Sequence, residues 1–297
     1  MLVTAADPDT LVGARATVRV ALEVGARALA DAGVDSAAAD AEWLLADVLG
    51  VSRTVLRTDL ARTLASPHDR RYVRDLRRRI GREPLQHIVG SQAFCGITVR
   101  VAPEAMVPRP ETEVLVEWAL ERLPRTASPL VLDVGTGTGC IACAIAIERP
   151  GARVLALELS PGAAALARGN VAALGLSDRV TVVESDLFAG LGRMAAHLII
   201  ANPPYLPASL IATLPPEVSR FDPRLALDGG ADGLDVIRRI VAEAPAWLAP
   251  GGALLLETAG GEQARSVVSL MRAAGFADVR TRRDLAGVER FVAGATD

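Results

Sequence analysis

The chain has 297 residues, 51% of them hydrophobic and 23% charged, with a mean hydropathy of +0.30. That composition can bury a core, and the length exceeds the usual single-domain range of about 100–150 residues, so two domains are expected. A formal charge of −3 and a pI near 5.8 exclude a protein that lives on bulk nucleic acid, although a local basic patch survives such an average.

All 32 basic residues are arginine, alongside heavy alanine use, which reads as composition bias rather than chemistry. Cys95, Cys140 and Cys143 are odd in number and lack paired CxxC motifs with histidines nearby. Neither a metal site nor a disulfide framework is therefore expected, and a reducing cytoplasm fits best. The start, MLVTAADPDT, has acids at Asp7 and Asp9 and no basic flank before an apolar core, unlike a signal peptide. No window approaches the ~18–20 apolar residues of a membrane span.

Residues 1–85 read as helical. TVRVALEVGARALADAG and DSAAADAEWLLADVLG carry apolar residues three and four apart, and each ends at a glycine, Gly33 and Gly50. Ser66–Pro67 opens a third helix that stops at Gly81. Seven arginines lie between Arg70 and Arg82 and admit two readings: a surface for an anionic partner, or the solvated face of a small bundle. Residues 86–107 contain AFCGITVRVA, which alternates around Gly96 and reads as a hairpin linker. The prolines of VPRPETEVLVEWALERL end before an amphipathic helix, with Glu111 and Glu113 in its first turn. From 108 to 297 strands and helices alternate: LVLDV, RVLALEL, RVTVVES, HLIIA and GALLLET are buried strands, with helices between them. This predicts a parallel sheet covered on both faces. The last two β-like runs, ADVRTRRD and ERFVAGA, have no helix between them and should form an antiparallel end.

The first strand of that sheet ends in DVGTGTGC. Gly135, Gly137 and Gly139, with Thr136 and Thr138 between them, fall where strand turns into helix and backbone N–H groups face a ligand. The frame from Gly137 also satisfies G-x-G-x-x-A, so a dinucleotide site stays open on pattern alone. Asp133 would repel a pyrophosphate but suits an ammonium, directly or through water. Glu158, at the next strand end, suits two ribose hydroxyls, and Asp186 after the third suits an adenine amine. Any one of these acids has the plain alternative of capping a strand. Three on successive strand ends beside a glycine loop suggest a ligand with ribose, no phosphate and an amino-acid tail: S-adenosylmethionine.

The fourth strand delivers NPPY at the same rim. Its plain alternative is a strand exit, since Pro203 and Pro204 cannot continue a ladder. As a site, the Asn202 side-chain oxygen and the Pro203 carbonyl accept the two N–H protons of a planar nitrogen, while Tyr205 packs on its face. His68, His87 and His197 are scattered, and His197 opens a buried strand where a structural role is expected.

With EPLQHIVG (83–90), VPRPETEVLVEWAL (107–120), LDVGTGTGCIA (132–142), NPPYL (202–206) and RFDPRLALDGGADGL (220–234), the chain resembles the PrmC/HemK family of protein-(glutamine-N5) methyltransferases. These modify the glutamine of the Gly-Gly-Gln loop in class 1 peptide chain release factors. The resemblance implies a Rossmann-like class I methyltransferase sheet over 108–297, α/β in class, with a small helical bundle over 1–85 that docks substrate. It implies S-adenosylmethionine bound by Gly135–Gly139, Glu158, Asp186, Leu187 and Asn202, and glutamine held by Asn202, Pro203, Pro204 and Tyr205, with Phe94 and Arg109 bordering the pocket. Class 1 release factors are the implied partners, with no membrane and no direct nucleic acid. The family more often has aspartate at the position of Glu158, and its usual L-E-x-G segment reads LETAGGEQ here. Other readings are a ribosomal-protein glutamine methyltransferase, a DNA adenine-N6 methyltransferase, which shares NPPY, a dinucleotide oxidoreductase and a non-catalytic binding module.

Overall fold

A computed structural model describes residues 7–125 and 128–297. The reading of the amino terminus as no signal peptide falls partly on residues 1–6, outside the described residues. Two compact units emerge: one takes the described residues up to Gly90 together with Pro215–Phe221, the other Ser91–Leu214 and Asp222–Asp297.

The first unit packs α1 (Val18–Asp31), α2 (Ala37–Leu49), α3 (Arg53–Thr58), α4 (His68–Ile80) and α5 (Leu85–Val89). Thr17 and Ser52 cap α1 and α3 by accepting from the Val20 and Val55 amides, and α2 stops at Gly50 in the left-handed region. The three-and-four spacing becomes a core of Leu29, Leu44, Leu45, Tyr72 and Leu76. Gly25 is required there by close approach, because a Cβ would stand 2.3 Å from the Tyr72 hydroxyl. The helix expected third in sequence is the fourth. RTVLRT and LQHIV form one short helix each, too brief to display a period.

Six of the seven arginines between Arg70 and Arg82 meet an acid within their own unit, and Arg70 donates to the Ser66 hydroxyl. Arg71 pairs with Asp47, Arg74 with Asp75, Arg77 with Asp9, Arg78 with Glu83, and Arg79 and Arg82 with Glu217 of the Pro215–Phe221 segment. This favours the bundle-face reading over an anion-binding surface.

The second unit opens with the hairpin β1 (Ser91–Phe94) and β2 (Ile97–Arg100), turned at Cys95 and Gly96, both at positive φ. In chain order follow α6 (Pro110–Arg122), β3 (Leu130–Val134), α7 (Cys140–Glu148), β4 (Arg153–Glu158), α8 (Pro161–Ala173), β5 (Val180–Glu184) and β6 (Ala196–Ala201). After α9 (Pro216–Ser219), which belongs to the first unit, come α10 (Arg224–Leu227), α11 (Asp235–Glu243), β7 (Leu248–Glu257), α12 (Glu262–Ala273), β8 (Ala277–Arg283) and β9 (Glu289–Ala295). Pro110 is the first residue of α6 rather than a residue before it, a position where the missing N–H costs nothing. No described helix is long and apolar enough to cross a membrane.

The seven-stranded sheet runs β5-β4-β3-β6-β7-β9-β8, parallel through β7 and antiparallel at β9 and β8. The antiparallel end is as expected, with the last strand inserted between β7 and β8. Alternate sheet residues face opposite layers. Val131, Leu198 and Leu255 meet α6 and α7 through Leu115 and Ile145, while Leu132, Ile199 and Leu254 meet α11 and α12 through Ile240 and Val267. His197 is structural, accepting the Leu130 amide at Nδ1 (3.1 Å).

Candidate active site

The chain enters the sheet at β3, moves outward through β4 to β5, and returns to the other side of β3 with β6. Such a reversal opens a crevice at the carboxyl ends of the two central strands. Val134 and Ala201 are register partners, so the glycine loop and NPPY leave the sheet side by side.

The loop takes its shape from glycine. Gly135, Gly137 and Gly139 sit at φ of 72°, 55° and 79°, and a Cβ on Gly139 would press on Ala167 at 3.2 Å. The Gly135 and Thr136 amides donate to the Leu157 carbonyl, joining the loop to the end of β4. Glu158, 8% exposed, accepts from the Gly137 amide at 2.8 Å and the Ser160 amide at 2.9 Å. Each carboxylate oxygen keeps a further lone pair for a ligand. A cavity opens here, walled by Gly135–Thr138, Glu158, Asp186, Leu187, Asn202, Pro204, Arg109 and Thr112.

Not every sequence-derived candidate reaches that cavity. Asp133 is fully buried beneath the loop, and its Oδ2 accepts from the Thr136 hydroxyl and the Ala142 amide. Burial pushes its carboxyl up to about 7, against the lowering effect of those two bonds. Its visible work is to hold the loop, and Oδ1 is buried without a partner. Gly139 likewise shapes the loop from behind. Phe94 packs in the core at 1% exposure with Leu115 and Ile141, so the expectation that it borders the pocket is corrected: β1 turns its ring inward.

Asp186 is exposed at the cavity wall and pairs with Arg239 of α11 at 3.1 Å. Leu187 follows at φ 52°, a costly conformation for a bulky residue, braced by the Ser185 hydroxyl donating to its carbonyl at 2.7 Å. Arg109 donates to the buried Asp222 at 2.5 Å, joining the PRPETE and RFDP segments.

Asn202 is fixed from behind. Its Nδ2 donates to the Thr112 hydroxyl at 3.1 Å, Thr112 donates to Glu257 Oε2 at 2.8 Å, and the Tyr205 hydroxyl approaches Glu257 Oε1 at 3.5 Å. Asn202 Oδ1 is buried and has no hydrogen-bond partner among the described residues. Pro203 is buried, leaving Asn202 and Pro204 as the part of NPPY that walls the cavity. The block 222–233 clasps this segment: Leu206 donates to Leu227, Gly229 donates to Leu206, and Ala208 donates to Gly230. Gly233 passes so close that a Cβ would lie 2.3 Å from the Tyr205 carbonyl. Gln263, from the atypical LETAGGEQ segment, donates to that same carbonyl at 2.8 Å.

Sequence reading missed Thr112, Glu257, Asp222 and Gln263 as parts of the site. Their only signal was position inside the quoted motifs, because their partners are far away in the chain.

A glycine loop after a central strand, acids on the next strand ends and an open sheet of this order define a class I methyltransferase. Residues 21–90 match the model of the PrmC N-terminal domain, and 112–212 that of the methyltransferase small domain. The Release factor glutamine methyltransferase of Geobacter sulfurreducens is 45% identical over 279 residues, covering 94% of this chain and 96% of its own. That of Deinococcus radiodurans is 47% identical over 264 residues, covering 89% and 93%. Among solved structures, the hMettl16 catalytic domain in complex with the MAT2A 3'UTR hairpin 6 shares the fold, with a TM-score of 0.55, 20% identity, and coverage of 68% of this chain and 76% of that one. The chain belongs to the release factor glutamine methyltransferase family.

Proposed function

We propose that this protein transfers the methyl group of S-adenosylmethionine to the side-chain amide nitrogen, N5, of the glutamine in the Gly-Gly-Gln motif of class 1 peptide chain release factors. The observation that carries the reading is Asn202, a residue of the cavity wall beside the glycine loop, whose Oδ1 is a buried acceptor without a partner among the described residues. Leaving such a group unpaired costs about 1–3 kcal/mol, which an incoming N–H donor recovers.

The residues present fit the methyl donor. Backbone of Gly135–Thr138 would hold its amino-acid end, the free lone pairs of Glu158 would suit its ribose hydroxyls, and Asp186 with Leu187 would suit its adenine. When bound, S-adenosylmethionine would supply a methyl made electrophilic by its sulfonium: the nitrogen–methyl bond forms as the sulfur–methyl bond breaks, leaving S-adenosylhomocysteine, and one amide proton passes to solvent. The chain's own part is positioning. Asn202 Oδ1 and the Pro203 carbonyl accept the two N–H protons, turning the nitrogen to the donor and favouring positive charge as it develops there. The stiff prolines keep both acceptors fixed, Pro204 walls the place of the flat amide, and Tyr205, expected to pack on it, instead braces the segment from the core side. Well-aligned reactants alone account for several kcal/mol of barrier. Partners are release factors rather than nucleic acid, and the cytoplasm is the expected compartment.

The test is a labelled-donor assay on a release factor, on the same factor with its Gly-Gly-Gln glutamine replaced, and on duplex DNA. Label is expected only on the unaltered factor. Label on DNA, or persisting on the altered factor, overturns the reading.

A further inference from the structure

Behind Asn202, buried side chains from separate elements form one line of hydrogen bonds. Thr112, 3% exposed in the first turn of α6, lies between Asn202 Nδ2 and Glu257 Oε2. Glu257, 1% exposed, closes β7. A threonine hydroxyl has a single proton, whereas an ionised carboxylate only accepts. Glu257 therefore claims the Thr112 proton, and Thr112 Oγ1 meets Asn202 only as an acceptor. An amide facing an acceptor turns its NH2 toward it, which leaves the oxygen of Asn202 on the other side, where it is buried and unpaired.

We propose that Thr112 and Glu257 are positioning residues that fix the polarity of the Asn202 amide, so that Oδ1 rather than Nδ2 meets the substrate nitrogen. The proposal deepens the function above and rests on it. With the amide reversed, Asn202 would present N–H groups to the N–H groups of glutamine, and the acceptor would be lost. Protonating Glu257 produces that reversal: its O–H donates to Thr112, and the Thr112 proton turns to Asn202 Oδ1. Burial raises the Glu257 carboxyl to about 7, the Thr112 bond and Arg290 lower it, Glu111 raises it, and the Tyr205 hydroxyl lowers it. The polarity is thus set by ionised Glu257 above neutrality and lost as pH falls below about 7.

The experiment follows the Asn202 side-chain NH2 resonances in the full chain, assigned by their loss in Asn202→Ala, beside kinetics on a release factor. Thr112→Val, which keeps the shape without the hydroxyl, is expected to shift those resonances and to lower kcat about tenfold or more, with KM within about twofold. Thr112→Ser is expected to keep both near wild type. Glu257→Gln is expected to remove the pH dependence of the resonances near neutrality. Unchanged resonances in Thr112→Val, wild-type kcat in that variant, or an equal loss in Thr112→Ser overturns the proposal. If the wild-type protein moves no methyl to a release factor, the proposed function fails, and the resonances alone decide the positioning.

Discussion

Both units of this chain pair buried charge, the sheet unit at Arg109–Asp222 and Arg290–Asp284, but they differ in what else they bury. In the helical unit, Arg79 is 5% exposed and donates to Asp40 at 2.7 Å and to Glu217 at 2.8 Å, and Glu217 also receives Arg82. Buried Asp75 likewise meets Arg71 and Arg74, and buried Asp69 is held by the Gly13 and Arg70 amides. In the sheet unit, Asp133 and Asn202 each keep a buried oxygen without a partner, and Asp133 and Glu257 are both raised to about 7 by burial. Matched charge holds a fold together at little net gain, because desolvation offsets attraction. Acceptors left open in a dry site cost stability and repay it only when a ligand donates to them. The contrast separates a scaffold from a site without reference to any relative.

The contrast breaks first at Arg79. Arg79→Leu leaves Asp40 as an uncompensated buried charge and is expected to cost about 3–5 kcal/mol in urea unfolding. Methyl transfer by the fraction still folded should be unchanged; a loss of kcat without a loss of stability would place Arg79 in the site rather than the scaffold. Asn202→Ala is expected to do the reverse. It should lower kcat by about 10²–10³-fold, in line with the loss of one preorganised polar contact, while stability is kept and S-adenosylhomocysteine binding by calorimetry weakens only in part. Full turnover in that variant removes Asn202 from the mechanism.

Phe94→Leu sharpens the boundary between core and pocket. Its ring is buried, so truncation should cost about 1–2 kcal/mol of stability and leave kcat and KM within about twofold. A selective rise in KM would return Phe94 to the substrate. The smallest effect concerns Glu217. Burial alone would raise its carboxyl, but the bonds from Arg82 and Arg79 win and hold it near 2, below its ordinary 4.5. Its contribution is therefore full above pH 4.5 and drains as pH falls toward 2. With Arg82 and Glu217 still partly open to solvent, which screens the charge, the wild type should lose about 1 kcal/mol more than Glu217→Gln over that range in denaturant titrations. Parallel curves for the two proteins would show that the pairing adds nothing.

Much of this was legible in the chain itself. The switch from three-and-four spacing before residue 85 to apolar runs after 130 marks helices and then buried strands. The glycines of GTGTG and the prolines of NPPY mark where backbone leaves regular structure. Periodicity works because it records which face of an element meets the core. It is silent on short helices such as α3 and α5, and on which strand lies beside which.

Tertiary structure alone decided the latter, and with it the site. Pairing β6 with β3 sets Val134 against Ala201 and so brings the loop and Asn202 together. Residues 90 and 145 apart, Asn202 with Thr112 and Thr112 with Glu257, then fix which end of one amide is held and which is left open. A lone asparagine has no preferred polarity. Its direction comes from donors and acceptors that distant elements supply, and sequence spacing carries no record of them.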